Sequence, residues 1–230
     1  VAHQCRLRLP SLPKLGFGVQ FLDADLDGQL DLVVANGHID DYSADGHTEF
    51  RMQPQFFANL GAAGFREIPA STSGPYFERH TLGRSLARLD WNGDGLEDFA
   101  VTHLDAPVSL VENTTADVGR QIVFRLQGIT SNRDAVGASV RVRTPQHTLT
   151  REITAGDGFQ ATNERVLVFG LGADDIVQDV TIDWPSGISD RFTNVPVNTS
   201  WMVIEGRNRL FASRESPIPA LQGQPRSGER

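Results

Sequence analysis

Short apolar runs and strict alternation, rather than a three-to-four spacing, organise this chain. Asp31-Leu-Val-Val-Ala and Asp98-Phe-Ala-Val-Thr are β-branched or aromatic runs that predict buried strands. Val140-Arg-Val-Arg143 and Asp179-Val-Thr-Ile-Asp-Trp184 alternate apolar and polar residues, as strands buried on one face do. Pro185-Ser-Gly187 supplies a turn and Trp201-Met-Val-Ile204 a last strand, with Trp184 and Trp201 expected in the core. No stretch carries sustained helical periodicity with caps, so an all-β fold is expected. A β-sandwich or small barrel is predicted over 119–207, preceded by a strand-and-loop region over 15–118. Residues 1–14 are expected to be irregular, and the polar, Pro-containing 208–230 a disordered tail.

The chemistry lies in front of the two apolar runs. Asp23-Ala-Asp25-Leu-Asp27-Gly28-Gln29-Leu-Asp31 and Asp90-Trp-Asn92-Gly-Asp94-Gly95-Leu96-Glu-Asp98 set oxygen side chains at positions 1, 3, 5 and 9 around a glycine turn. That spacing suits a hard divalent cation, with Ca²⁺ the best match. Position 7 would offer only its carbonyl, here from Gln29 and Leu96. The candidate ligands are therefore Asp23, Asp25, Asp27, Gln29 and Asp31 in one loop, and Asp90, Asn92, Asp94, Leu96 and Asp98 in the other. An EF-hand needs a bidentate Glu at position 12, and Val34 and Val101 stand there instead, followed by strand rather than helix.

Both loops belong to a repeat. Shifting the chain by 67 residues lays Asp23 on Asp90, Gly16 on Gly83, Leu22 on Leu89, Gly28 on Gly95 and Val34 on Val101. Gln55-Phe-Phe-Ala-Asn59 and Ser109-Leu-Val-Glu-Asn113 echo each other as a strand running into a turn. Such a period points to a propeller-type array of small sheets, with the extra length placed in a polar loop over 38–51.

The segment from Phe21 to Asn36 and its partner at 89–101 resemble FG-GAP/VCBS repeats, the calcium-loop blades of integrin-α-like seven-bladed propellers. Ser131-Asn-Arg-Asp-Ala-Val-Gly, Ala155-Gly-Asp-Gly-Phe, Asn163-Glu-Arg, Phe169-Gly-Leu-Gly and Val180-Thr-Ile-Asp-Trp-Pro-Ser-Gly187 resemble the ASPIC/UnbV domain, which commonly follows such repeats in cartilage-acidic-protein-like and bacterial secreted proteins. The resemblances imply about two blades of a partial propeller followed by an ASPIC/UnbV-type β-sandwich. They also imply a Ca²⁺ ion in each repeat and an extracellular or cell-envelope setting. The surface would contact a protein or glycan; the alternatives are a role in a biosynthetic pathway, as for some UnbV-like proteins, or a fragment of a larger propeller.

Charge and composition narrow the partners. A net charge of −8 with 21 basic residues argues against nucleic acid or anionic membrane. No 18-residue apolar span is present, so no membrane insertion is expected. Cys5 is the single cysteine and makes no intrachain disulfide, leaving the loops as staples. The start, without an initiator Met or an apolar signal core, reads as a cut inside a longer secreted protein. Two blades would leave open sheet edges, inviting the missing blades or self-association.

No catalytic constellation is evident. His38, His47, His80 and His103 lack zinc-site spacing, and Ser186 lacks the Gly-x-Ser-x-Gly frame. Gly156-Asp-Gly158 and Gly170-Leu-Gly172 read as tight turns. An enzyme would be favoured by His103, Asp105 and Arg133 converging in a pocket where blades and sandwich meet. Trp91, at position 2 of its loop, points away from the ion, either onto the neighbouring blade or out to solvent. Asn113-Thr-Thr and Asn198-Thr-Ser match glycosylation sequons.

Overall fold

In the computed structural model, residues 1–213 are described apart from 43, 45 and 47. His47 and residues 214–230 of the expected tail therefore lie outside the described residues. The described chain is all-β, with two four-residue helices and four open sheets.

The first sheet is an antiparallel meander of β1 (Gly16–Leu22), β2 (Asp31–Asn36), β3 (Gln55–Asn59) and β4 (Phe65–Ile68). The second repeats its plan with β5 (Gly83–Leu89), β6 (Asp98–His103) and β7 (Ser109–Val111). The register closes identically around each acidic loop, pairing Leu22 with Asp31 and Leu89 with Asp98. The longer first connection falls between β2 and β3, where the polar insertion is expected.

Leu22, Val33, Ala35, Leu86, Phe99 and Val101 form a core between these sheets, because alternate residues of neighbouring strands point the same way. Tyr76 and Phe77 complete it from the segment after the short helix Ala70–Ser73, with Tyr76 edge-on to Phe99 at 5.9 Å. The strand pattern gives no sign of that aromatic plug, since it comes from a connection. Burial pushes the Tyr76 hydroxyl above its ordinary pKa.

The remaining strands form two facing sheets. One orders β10 (Thr148–Glu152), β9 (Ser139–Arg143), β12 (Val177–Asp183) and β13 (Ser189–Val195). The other orders β11 (Val166–Gly172), β8 (Arg120–Gln127), β14 (Thr199–Ile204) and β15 (Leu210–Ala212), with β8 and β14 parallel. Between them lie Ile122, Phe124, Val140, Val142, Phe169, Val180 and Ile182, all fully buried. Trp184 is buried there and donates from Nε1 to Asp190 Oδ2 at 2.8 Å, while Trp201 packs on the core's edge.

Two expectations need correction. Leu210–Ala212 pair with β14, so the chain remains ordered past the start of the expected tail at 208. Gly170-Leu-Gly172 is not a tight turn but the irregular end of β11, where the pairing with β8 shifts between Gly170 and Gly172. Gly158 does adopt a positive φ, as a turn requires.

Candidate metal centre

The two acidic loops fold alike at the level of single hydrogen bonds. Asp23 Oδ2 accepts from Gly28 N–H at 3.0 Å, and Asp90 Oδ2 accepts from Gly95 N–H at 3.0 Å. Both glycines have positive φ, 92° and 85°, which lets the chain reverse over the first carboxylate. Asp31 receives Ala24 N–H at 3.2 Å and Asn59 N–H at 2.8 Å; Asp98 receives Trp91 N–H at 2.9 Å and Asn113 N–H at 2.7 Å. The last carboxylate of each loop thus ties the loop's start to the end of the third strand. Asn113 and Asn198 are similarly committed, through Nδ2 to Ala24 O and through Oδ1 to Gln121 N–H.

The loops differ in what they leave for an ion. Carboxylate oxygens of Asp23, Asp25 and Asp27 lie within 4.8 Å of one another. Asp23 is 0% exposed, and its Oδ1 is buried without a hydrogen-bond partner. A buried carboxylate oxygen left bare costs on the order of 1–3 kcal/mol or more, a cost that either a proton or a compensating cation would relieve. Burial, then repulsion from Asp27 and Glu97, pushes the Asp23 carboxyl up to about 7, despite the Arg151 guanidinium nearby. Burial likewise raises Asp31 to about 6, and burial with Asp27 beside it raises Asp25. Hard oxygen donors crowded in this way fit a Ca²⁺ ion. Gln29 turns its side chain to Asp27 Oδ2 at 3.0 Å, which leaves its carbonyl as the position-7 donor.

In the second loop Asn92 donates from Nδ2 to Asp94 Oδ2 and to Glu112 Oε1, both at 2.9 Å, and so quenches part of the charge internally. Burial raises the Asp90 and Asp98 carboxyls here too. Leu96 is buried, its side chain turned into the apolar contact below the loops.

That contact is what the sequence pattern missed. Leu26, at 1% exposure, and Leu96 pack on Val123, Val166 and Val168, which project from the outer face of β8 and β11. The first loop is bonded into the sandwich: Gly170 N–H reaches Asp23 Oδ2 at 3.2 Å, Gly172 N–H reaches Leu26 O at 2.8 Å, and Gly119 N–H reaches Asp25 O at 2.8 Å. Arg88 pairs with Glu97, whose other oxygen accepts Asp23 N–H at 3.0 Å. Asn163 and Glu164 extend the joint, through Asn163 Oδ1 to Arg88 N–H at 2.8 Å and Glu164 Oε2 to Asp90 N–H at 3.1 Å. Arg125 Nη1 donates to Glu164 Oε1 at 2.8 Å.

Among the described residues, none of those weighed for catalysis lines the cleft where the second loop meets the sandwich. Asp105 pairs with Arg51, His103 Nδ1 lies 2.9 Å from Pro107 O, and Arg133 sits in the turn whose carbonyl receives Gly128 N–H. His38 stacks edge-on against Tyr42 at 5.3 Å. Trp91 is 64% exposed.

Glu205 is a buried carboxylate, away from the loops, that no sequence pattern singles out. Its Oε2 accepts the N–H groups of Ile129, Thr130 and Ser131 at 2.6, 2.7 and 2.8 Å, and its Oε1 accepts both the Ser131 and Ser186 hydroxyls. Burial alone would raise its pKa, but these donors, Ser186 first, hold it down to about 2. Ser186 is thereby a turn anchor. Glu205→Gln, which replaces one of the two accepting oxygens with an NH2 donor facing this ring of donors, should cost about 2 kcal/mol, read from urea unfolding.

No curated protein matches the chain. Residues 128–210, from the end of β8 to the first residue of β15, match the family described as ASPIC and UnbV.

Proposed function

We propose that this is a calcium-binding, extracellular or envelope repeat protein whose ions rigidify a contact surface for a protein or glycan. In this reading the two small sheets are FG-GAP/VCBS-type blades of a partial propeller, and each acidic loop takes one ion. Asp23, Asp25, Asp27 and Asp31 with the Gln29 carbonyl hold the first. Asp90, Asn92, Asp94 and Asp98 with the Leu96 carbonyl hold the second. Calcium supplies charge and fixed coordination, and the chain's own residues do the rest: Gly28 and Gly95 turn the loops, and Asp31 and Asp98 brace them on the third strands.

The observation that carries the reading is Asp23 Oδ1, buried and without a partner beside two further carboxylates. The first ion would therefore sit where blades and sandwich meet, stiffening the joint as well as a hairpin. Calorimetric titration of Ca²⁺ into the wild type should give two equivalents, and Asp27→Ala and Asp94→Ala should each lose one. Unchanged stoichiometry in both variants, or no saturable heat in the wild type, would end the proposal.

A further inference from the structure

A cleft of about 420 Å³ opens beside the second loop, between it and the outer face of β8, β11 and β14. Its size falls in the range of roughly 300–1,000 Å³ usual for small-molecule sites. We infer that this cleft binds a neutral sugar, one or two pyranose rings stacked on Trp91, an inference that rests on the contact function proposed above and names its ligand.

The walls determine the ligand class. Val123, Val166 and Val168 give an apolar strip along the floor, and Ser200 adds a hydroxyl at its side. The guanidinium groups of Arg88 and Arg125 are already paired with Glu97 and Glu164, and the remaining charged lining residue, Asp90, accepts the Gly93 and Gly95 N–H groups of its own loop, so the walls offer an anion no unpaired guanidinium. A charged ligand would gain little net attraction and would have to break one of those pairs. A polyol, in contrast, can donate to the carboxylates and accept from the arginines without disturbing them. At the mouth, the Trp91 indole is 64% exposed and lines the cleft. A flat indole face beside convergent polar groups is the arrangement that accepts the C–H face of a pyranose. Packing does not require the exposed ring there, since Trp91 joins its loop through its backbone N–H to Asp98.

The test is tryptophan fluorescence and calorimetry on the full chain. The probes are glucose, galactose, mannose, N-acetylglucosamine and their β-linked disaccharides, with glucuronate and inorganic phosphate as anionic comparisons. At least one neutral sugar should bind saturably in excess Ca²⁺. Trp91→Ala should weaken it at least tenfold, and Ser200→Phe, which fills the cleft, should do the same. Trp91→Ala should keep the wild-type melting temperature and both calcium equivalents, so loss of sugar binding is read separately from loss of the metal. The inference is overturned if no neutral sugar in the panel binds, if Trp91→Ala binds as well as wild type, or if only the anions bind. Sugar binding in a protein that takes up no Ca²⁺ would support the cleft and reject the calcium reading.

Discussion

Gly170→Ala should destabilise the protein by about 2–4 kcal/mol, although it adds a single methyl group to a strand. A Cβ at Gly170 would lie 2.2 Å from Asp23 Oδ2 and 2.5 Å from the Leu26 carbonyl carbon. The second of these is backbone and cannot rotate aside. The loop would have to lift from β11, breaking the bonds from Gly170 N–H to Asp23 and from Gly172 N–H to Leu26 O. Leu26 would then withdraw from Val166 and Val168, losing apolar burial as well. Gly156→Ala is the matched control, because its nearest neighbour would be Ala161 O at an ordinary 3.6 Å. Urea unfolding at constant slope should show the Gly170 variant strongly shifted and the Gly156 variant within about 0.5 kcal/mol of wild type. Equal midpoints for the two would mean that loop and sandwich are not in the tight contact described.

The same joint explains what was legible in the sequence and what was not. Alternation exposes a strand buried on one face, and β9, with Val140 and Val142 inward and Arg141 and Arg143 outward, reads correctly for that reason. β11 is buried along nearly its whole length, because the sandwich core takes Leu167, Phe169 and Leu171 while the loops cover Val166, Val168 and Gly170. Its unbroken run Val166-Leu-Val-Phe-Gly-Leu therefore carries no alternation, and Gly170-Leu-Gly172 reads as a turn. The acidic loops were visible because ligand spacing is local: six residues carry Asp23 to Gly28 and fix the loop's own hydrogen bonds. Partners of those loops come from residues more than a hundred positions away, such as Gly170 to Asp23 and Arg151 to Gly28. No periodicity encodes such pairings. Glu205 escaped for the same reason, since its donors lie at 129–131 and at 186.

Removing divalent cations should invert the usual effect of raising pH. In the unfolded chain Asp23 and Asp31 titrate near their ordinary value of about 4. In the folded, metal-free protein burial and neighbouring carboxylates push Asp23 up to about 7 and Asp31 to about 6. Between these limits the folded form holds the extra protons, so stability falls as pH rises through the window and is fully restored only below about pH 4. For Asp23 the shift corresponds to on the order of 4 kcal/mol. Glu205 acts with the opposite sign. Its folded pKa is held down to about 2, so its contribution is complete above its ordinary value of 4.5 and is lost as pH falls through 2. In EDTA the protein should therefore be most stable near pH 4–5 and weaken toward pH 8. On the proposed reading, bound Ca²⁺ would replace the missing countercharge, drive the carboxyls to their ionised form and favour the folded state by about 2.7 kcal/mol at a hundred times Kd. The decline toward pH 8 should then flatten or reverse. Asp23→Asn separates the causes: its amide oxygen can still accept from Gly28 and Gly170, yet it carries no charge to bury. That variant should be more stable than wild type in EDTA at pH 8, and calcium should raise its melting temperature much less. Parallel pH profiles for wild type in EDTA and in calcium would show that the carboxylates are not the source of the strain, and the ion would lose its place at the joint.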